Sequence, residues 1–162
     1  MSEDETGPEQ GSDADLAAVP WHLWVVGVLA LMFTAFGAYD YVMSQLGDRA
    51  YIGAAVEPMG IDTDVAVTYF SSFPFWADFI WAIGVWGAVA GSLLLLARRA
   101  WAYPAYLASL LGLVGSNAYG VANPVPGMTD SSMSYAMIAV VFAIMVALAV
   151  YARTQREQGV LR

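Results

Sequence analysis

The chain has no cysteine, no lysine and a single histidine among its 162 residues. Without cysteine there is no disulfide, no thiolate metal site and no thiol nucleophile. One histidine, His22, cannot supply bis-histidine haem ligation, and its position beside a long apolar run suits an interfacial side chain. An HExxH pair, a P-loop and a Ser–His–acid set are all missing. No enzyme activity, no cofactor and no metal centre is expected. Charge is scarce too: 12% of residues are charged, where a soluble domain carries about 25%. All six basic residues are arginine, which codon usage in a GC-rich genome explains as readily as physics does.

What the chain does have is apolar length. It is 59% hydrophobic and 14% aromatic, with mean hydropathy +0.59. Four stretches reach the roughly 20 residues needed to span a bilayer, at about 21–45, 76–97, 101–121 and 133–152. In lipid such a span is helical, because each backbone donor must be satisfied within its own segment. The expected fold is an all-α membrane protein: an antiparallel four-transmembrane-helix bundle with a long external loop between helices 1 and 2. Residues 1–19 carry six of the fourteen acids within their first fifteen positions and have no apolar period. They read as a disordered acidic tail. The negative flank and the length of the following apolar run argue against a signal peptide. Residues 20–152 form the transmembrane domain, and 153–162 a cytoplasmic tail.

Arginine sets the orientation. Arg98 and Arg99 fill the link between the second and third spans, Arg153, Arg156 and Arg162 follow the fourth, and only Arg49 lies at the other end. The positive-inside rule then places both termini and the 98–100 turn on the cytoplasmic side. The loop over about 46–75 becomes external, with Asp62 as N-cap of a short helix over about Thr63–Phe70. The lipid bilayer is the first partner, a second copy or another membrane protein is the next, and nucleic acid is not expected.

Helices in lipid associate through small residues that let backbones approach. Gly84, Gly87 and Gly91 form such a stripe on the second span, with Gly112 and Ser116 on the third and Ala139, Ala143 and Ala147 on the fourth. Polar groups gather toward the outer ends: Asp40, Asp78 and Asn117, with Ser131, Ser132 and Tyr135 opening the fourth span. Intramembrane acids are costly and face the bundle or water. Two readings stand. Asp40 and Asp78 reach water or bond tyrosine and tryptophan donors at headgroup level. Alternatively, Asp40, Asp78 and Asn117 converge on an outward cup walled by Trp76 and Trp81, suited to a polyol or a cation.

Tyr39–Asp40 matches one half of the intramembrane aspartyl-protease pair, but the GxGD half is absent. The segments PWHLW (20–24), FGAYDYVM (36–43), FPFW (73–76), GSLLLL (91–96), RRAWAYP (98–104) and SLLG (109–112) resemble a family of small four-helix bacterial inner-membrane proteins. Some members carry a "sugar transporter" label. The resemblance covers roughly residues 20–120 and puts Asp40 in its most distinctive stretch. It implies an integral membrane protein and names no reaction; the cup of acids and rings suits one that handles a small polar solute, sugar-like or cationic. The alternative is a non-catalytic accessory subunit of a membrane complex.

Overall fold

The computed structural model describes residues 20–128 and 132–162; the acidic leader and Ser131 lie outside the described residues. Four helices are long and apolar enough to cross a membrane. They are α1 (Trp21–Gln45), α4 (Phe75–Leu96), α5 (Ala102–Ala122) and α6 (Ser132–Glu157). Between α1 and α4 lie α2 (Arg49–Val56), a 3-10 turn (Glu57–Met59) and α3 (Thr63–Ser71). The chain is thus an all-α, multi-pass membrane protein with a helical insertion after its first span.

Local chemistry sets the boundaries. Pro20 and Pro74 stand at the N-caps of α1 and α4, where a missing N–H costs no helical hydrogen bond. Asp48 and Asp62 cap α2 and α3: Asp48 accepts from the Tyr51 N–H at 2.8 Å, and Asp62 from the Asp64 N–H at 2.9 Å. The insertion therefore holds one more α-helix than the sequence suggested. Asp48 is its start signal, and Asp48 follows Gly47 too closely to stand out from a plain turn. Ile52, Val56, Ile61 and Ala66 form a small core of their own, with Val125 and Met128 packed against it. The insertion is a folded cap over one end of the spans.

Glycine brings α4 and α5 together. A Cβ added to Gly84 would stand 3.2 Å from the Gly112 carbonyl carbon, and one on Gly87 3.2 Å from Ser109 Cβ. One on Gly91 would reach the Tyr106 ring at 2.8 Å. Positions rise along α4 as they fall along α5, so the two helices are antiparallel. Ser109 donates to the Gly84 carbonyl across this contact. Helix α1 packs on α4 in the same sense, from Gly27 against Leu96 to Gln45 against Asp78.

Toward the α4–α5 turn, one helical turn or so from the end of α4, lies a buried hydroxyl cluster. Ser92 donates to the Ala88 carbonyl at 3.0 Å, with Tyr106 Oη at 3.0 Å and Thr34 Oγ1 at 3.2 Å from its oxygen. A serine hydroxyl has one proton and two lone pairs. With Ser92 giving its proton to Ala88, Tyr106 donates to it, and the Thr34 proton is shared between Ser92 and the Leu31 carbonyl at 3.3 Å. The cluster ties α1, α4 and α5 together where an unpaired polar group has no water to fall back on.

Helix α6 departs from the expectation. Ala139, Ala143 and Ala147 are exposed rather than packed, while Met145, Leu148, Ala149, Ala152 and Gln155 are buried. Both stripes have helical spacing, so period alone does not choose between them. The larger side chains win, because Met145 and Leu148 fill the core formed with Leu23, Leu95 and Tyr106. The helix also runs on to Glu157 rather than ending near 152. Beyond it Val160 and Leu161 are buried. The Arg162 N–H donates to the Arg98 carbonyl at 2.9 Å, and the Ala100 N–H donates to the main-chain oxygen of Arg162 at 2.8 Å. Residues 153–162 are a helix end plus a clasp on the α4–α5 turn.

Candidate functional site

A cavity of about 360 Å³ lies where the cap meets α4, α5 and α6. Its cap side is Tyr69, Phe70 and Phe73 of the α3 segment; Trp81 comes from α4, Ser116 and Asn117 from α5, and Tyr135 from α6. The aromatic side is held as a cluster. Trp81 lies 4.9 Å from Tyr41 edge to face, and 6.1 Å from both Phe70 and Phe73 between ring centres. Phe73 also meets Tyr119 at 5.0 Å. Tyr69 donates to the Asn123 carbonyl at 2.6 Å, which pins α3 to the end of α5. Burial raises the Tyr69 hydroxyl above its ordinary pKa, with Tyr119 as the lesser cause, so it stays a neutral donor.

The polar floor is small. Asn117 Nδ2 donates to the Leu113 carbonyl of its own helix at 2.8 Å, which fixes the amide and leaves Oδ1 without a partner among the described residues. Ser116 likewise bonds the Leu113 carbonyl, at 3.2 Å. Gly120, beside them, has nothing within 4 Å of where a Cβ would stand, so the cavity keeps an open flank there. A cleft of this size, mostly apolar with a few placed polar groups, is the usual form of a small-molecule site.

The sequence-derived candidates divide. Asn117 and Trp81 line the cavity, and Ser116, assigned above to helix packing, lines it as well. Trp76 is 54% exposed, packs edge-on against Tyr119 at 5.3 Å and is not in the lining. Asp40 and Asp78 are not in the lining. Asp40 accepts from the Tyr51 hydroxyl at 2.8 Å, and Asp78 from Gln45 Nε2 at 3.1 Å. Burial, then the bond to Asp40, push the Tyr51 hydroxyl up to about 12, so it remains a donor at any physiological pH. No hydrogen bond joins Asp40, Asp78 and Asn117 to one another among the described residues. Each carboxylate instead fastens an element: Asp40 fastens α2 to α1, and Asp78 fastens α4 to the end of α1. Gly84, Gly87, Gly91 and Gly112 form the α4–α5 contact described above. Among the described residues there is no cluster of three His, Asp or Glu able to hold a metal ion.

No protein-family model matches the chain. Comparison with curated proteins finds no match, and neither does comparison with solved structures. The geometry of the cavity therefore carries the functional reading by itself.

The partners of the site were hard to find from sequence. Tyr51 stands eleven positions from Asp40 across a helix break, and nothing in its local pattern points back. From sequence Phe73 reads as an outer-belt aromatic, and Phe70 as lying on the membrane surface or folding over the bundle; the folded cap turns both toward Trp81. Tyr135 was noted as a polar residue opening the fourth span, without a site to join.

Proposed function

We propose that this chain is a bacterial inner-membrane protein, an antiparallel four-span bundle with both ends of the described chain in the cytoplasm. It holds a small, neutral, polyol-like solute in the aromatic cavity at its external end. The observation that carries this reading is the pairing of the Trp81–Phe73–Phe70 wall with the single fixed amide of Asn117. Rings stack on the apolar faces of a sugar-like ring, and an amide oxygen accepts from its hydroxyls. The two carboxylates are spent on Tyr51 and Gln45 and lie outside the lining, so the cavity offers a cation no counter-charge. The reading involves binding and passage, with no bond made or broken.

The test is ligand-induced thermal stabilisation of the full chain in detergent, with neutral polyols against quaternary ammonium ions. A neutral polyol is expected to raise the unfolding temperature, and ammonium ions are not. Asn117→Ala should weaken the polyol roughly fivefold, the worth of one lost hydrogen bond, while Asp40→Asn leaves the response in place. Absence of any polyol response, or an Asn117→Ala response equal to the parent's, rejects the site. Orientation has its own check. Reporter fusions at positions 100 and 162 should read cytoplasmic and one at 125 external, and an external reading at 100 reverses the topology.

The exposed stripe Ala139–Ala143–Ala147 on α6 favours a second reading, an accessory subunit docked through that helix. Small residues facing lipid are what a neighbouring transmembrane helix packs against. Native-membrane purification that recovers a stoichiometric partner, together with a silent polyol panel, would move this reading to first place.

A further inference from the structure

Three helices end in the same way. After α1, Gly47 is left-handed (φ 64°), with its N–H on the Ser44 carbonyl and the Asp48 N–H on the Met43 carbonyl. After α6, Gly159 (φ 72°) repeats the pattern, bonded to Arg156, with the Val160 N–H on the Gln155 carbonyl. After α4 the pattern recurs again, with Arg98 to Leu95 and Arg99 to Leu94, but the left-handed residue is Arg98 at φ 56°. Glycine takes this conformation freely, whereas a residue with a Cβ is strained in it. Arg98 is the only non-glycine residue with positive φ among the described residues. Strain at one position where the same turn elsewhere uses glycine points to work done by the side chain.

The surroundings of Arg98 show what that work is. Its Nε is buried and meets no acceptor, and no carboxylate pairs with it among the described residues. Among the described residues no acid neutralises the guanidinium, and its Nε is shut off from water. The clasp brings Arg162 beside Arg98 and Ala100, and Arg99 completes the turn. Arg153 and Arg156 stand on the last turns of α6, and among the described residues only Arg153 of the two has an acid, Glu157, at 2.8 Å. Gln155 contributes a second buried atom without a partner, its Oε1, which is an acceptor and does not neutralise arginine. Trp21 and Trp101 are 76% and 73% exposed at the same end, the level of a headgroup belt.

We propose that Arg98, Arg99 and Arg162 form a site for the phosphate of an anionic phospholipid at the arginine-rich end of the bundle. Arginine presents a planar fork of donors that matches a phosphate's oxygens. Basic pockets between spans on the cytoplasmic side bind such headgroups by this chemistry. The site is at the opposite end of the spans from the aromatic cavity and stands or falls independently of it.

The experiment is thermal unfolding of the full chain in neutral detergent with added phosphatidylglycerol, phosphatidylcholine or inorganic phosphate. Phosphatidylglycerol at about ten times its Kd should raise the midpoint by roughly 3 °C, with no rise from phosphatidylcholine and little from phosphate. Arg98→Gly removes the charge and the strain together. It is expected to unfold at or above the parent's temperature without lipid and to lose most of the phosphatidylglycerol response. Arg98→Asn, which also tolerates the left-handed backbone, should lose it too. An undiminished response in both variants, or an equal response to phosphatidylcholine, overturns the site. An equal response to inorganic phosphate overturns the lipid as its occupant. If deleting residues 2–19 lowers the midpoint and no lipid restores it, the acidic leader occupies the arginines and the proposal fails.

Discussion

Gly112→Ala should unfold the α4–α5 pair at a much lower temperature than the parent. A Cβ at this position would stand 2.6 Å from Gly84 Cα and 2.8 Å from the Ile80 carbonyl oxygen, and closer still to the Gly84 nitrogen. All three are backbone atoms, which cannot rotate away as a side chain does. The helices must separate, and with them go the Ser109 bond to Gly84 and the packing of Tyr106 under Gly91. Overpacking of this kind costs about 1–3 kcal/mol, and more where backbone has to move; the upper end is expected here. Gly37→Ala is the control, because nothing lies within 4 Å of its would-be Cβ and alanine is the better helix former. The measurement is the unfolding midpoint of both variants in the same detergent. Equal midpoints would show that the close approach does not bind these helices together.

Trp81→Ala should release the cap. The indole is the ring that Tyr41, Phe70 and Phe73 share, so it joins α1, α3 and α4 at one point. Removing a well-packed tryptophan costs about 3–5 kcal/mol in a full core; Trp81 is half-buried, and about 2 kcal/mol is the expected loss. The loss falls mainly on α3, whose other ties to the spans are few: the Tyr69 bond to Asn123 and the contacts of Phe73 with Tyr119. Limited proteolysis reports this directly. Cleavage within residues 57–72 should become faster than in the parent while the spans stay protected. A parent-like cleavage rate would mean that the small core of Ile52, Val56, Ile61 and Ala66 holds the cap without help from the tryptophan.

The spans were legible because hydropathy is local and the bilayer demands one length. Each observed helix starts within about a residue of the expected place, since Pro20, Pro74 and the Arg98–Trp101 turn mark the ends in plain letters. The α4–α5 contact was legible too, because glycine at helical spacing has few other uses. The face of α6 was not. Its alanines repeat as regularly as its methionine and leucine do, and only the volume left by Leu23 and Tyr106 decides between them. The site was half legible. Asn117 and Trp81 sit on helices at a depth that can be counted. The other wall belongs to the cap, whose fold depends on contacts between residues 52 and 128 that no local period encodes. The carboxylates drew attention by their rarity, and rarity did not reveal that a tyrosine and a glutamine were waiting for them.

The clasp at the α4–α5 turn orders events in time as well as in space. The Arg98 carbonyl and the Ala100 N–H leave the ribosome about sixty residues before Arg162, their hydrogen-bonding partner. Until then α4 and α5 can already be paired through their glycines, as a hairpin that inserts early and whole. Its turn cannot be clasped before α6 is made and in place, so this pair of hydrogen bonds couples the α4–α5 hairpin to the end of a helix that follows it in the chain.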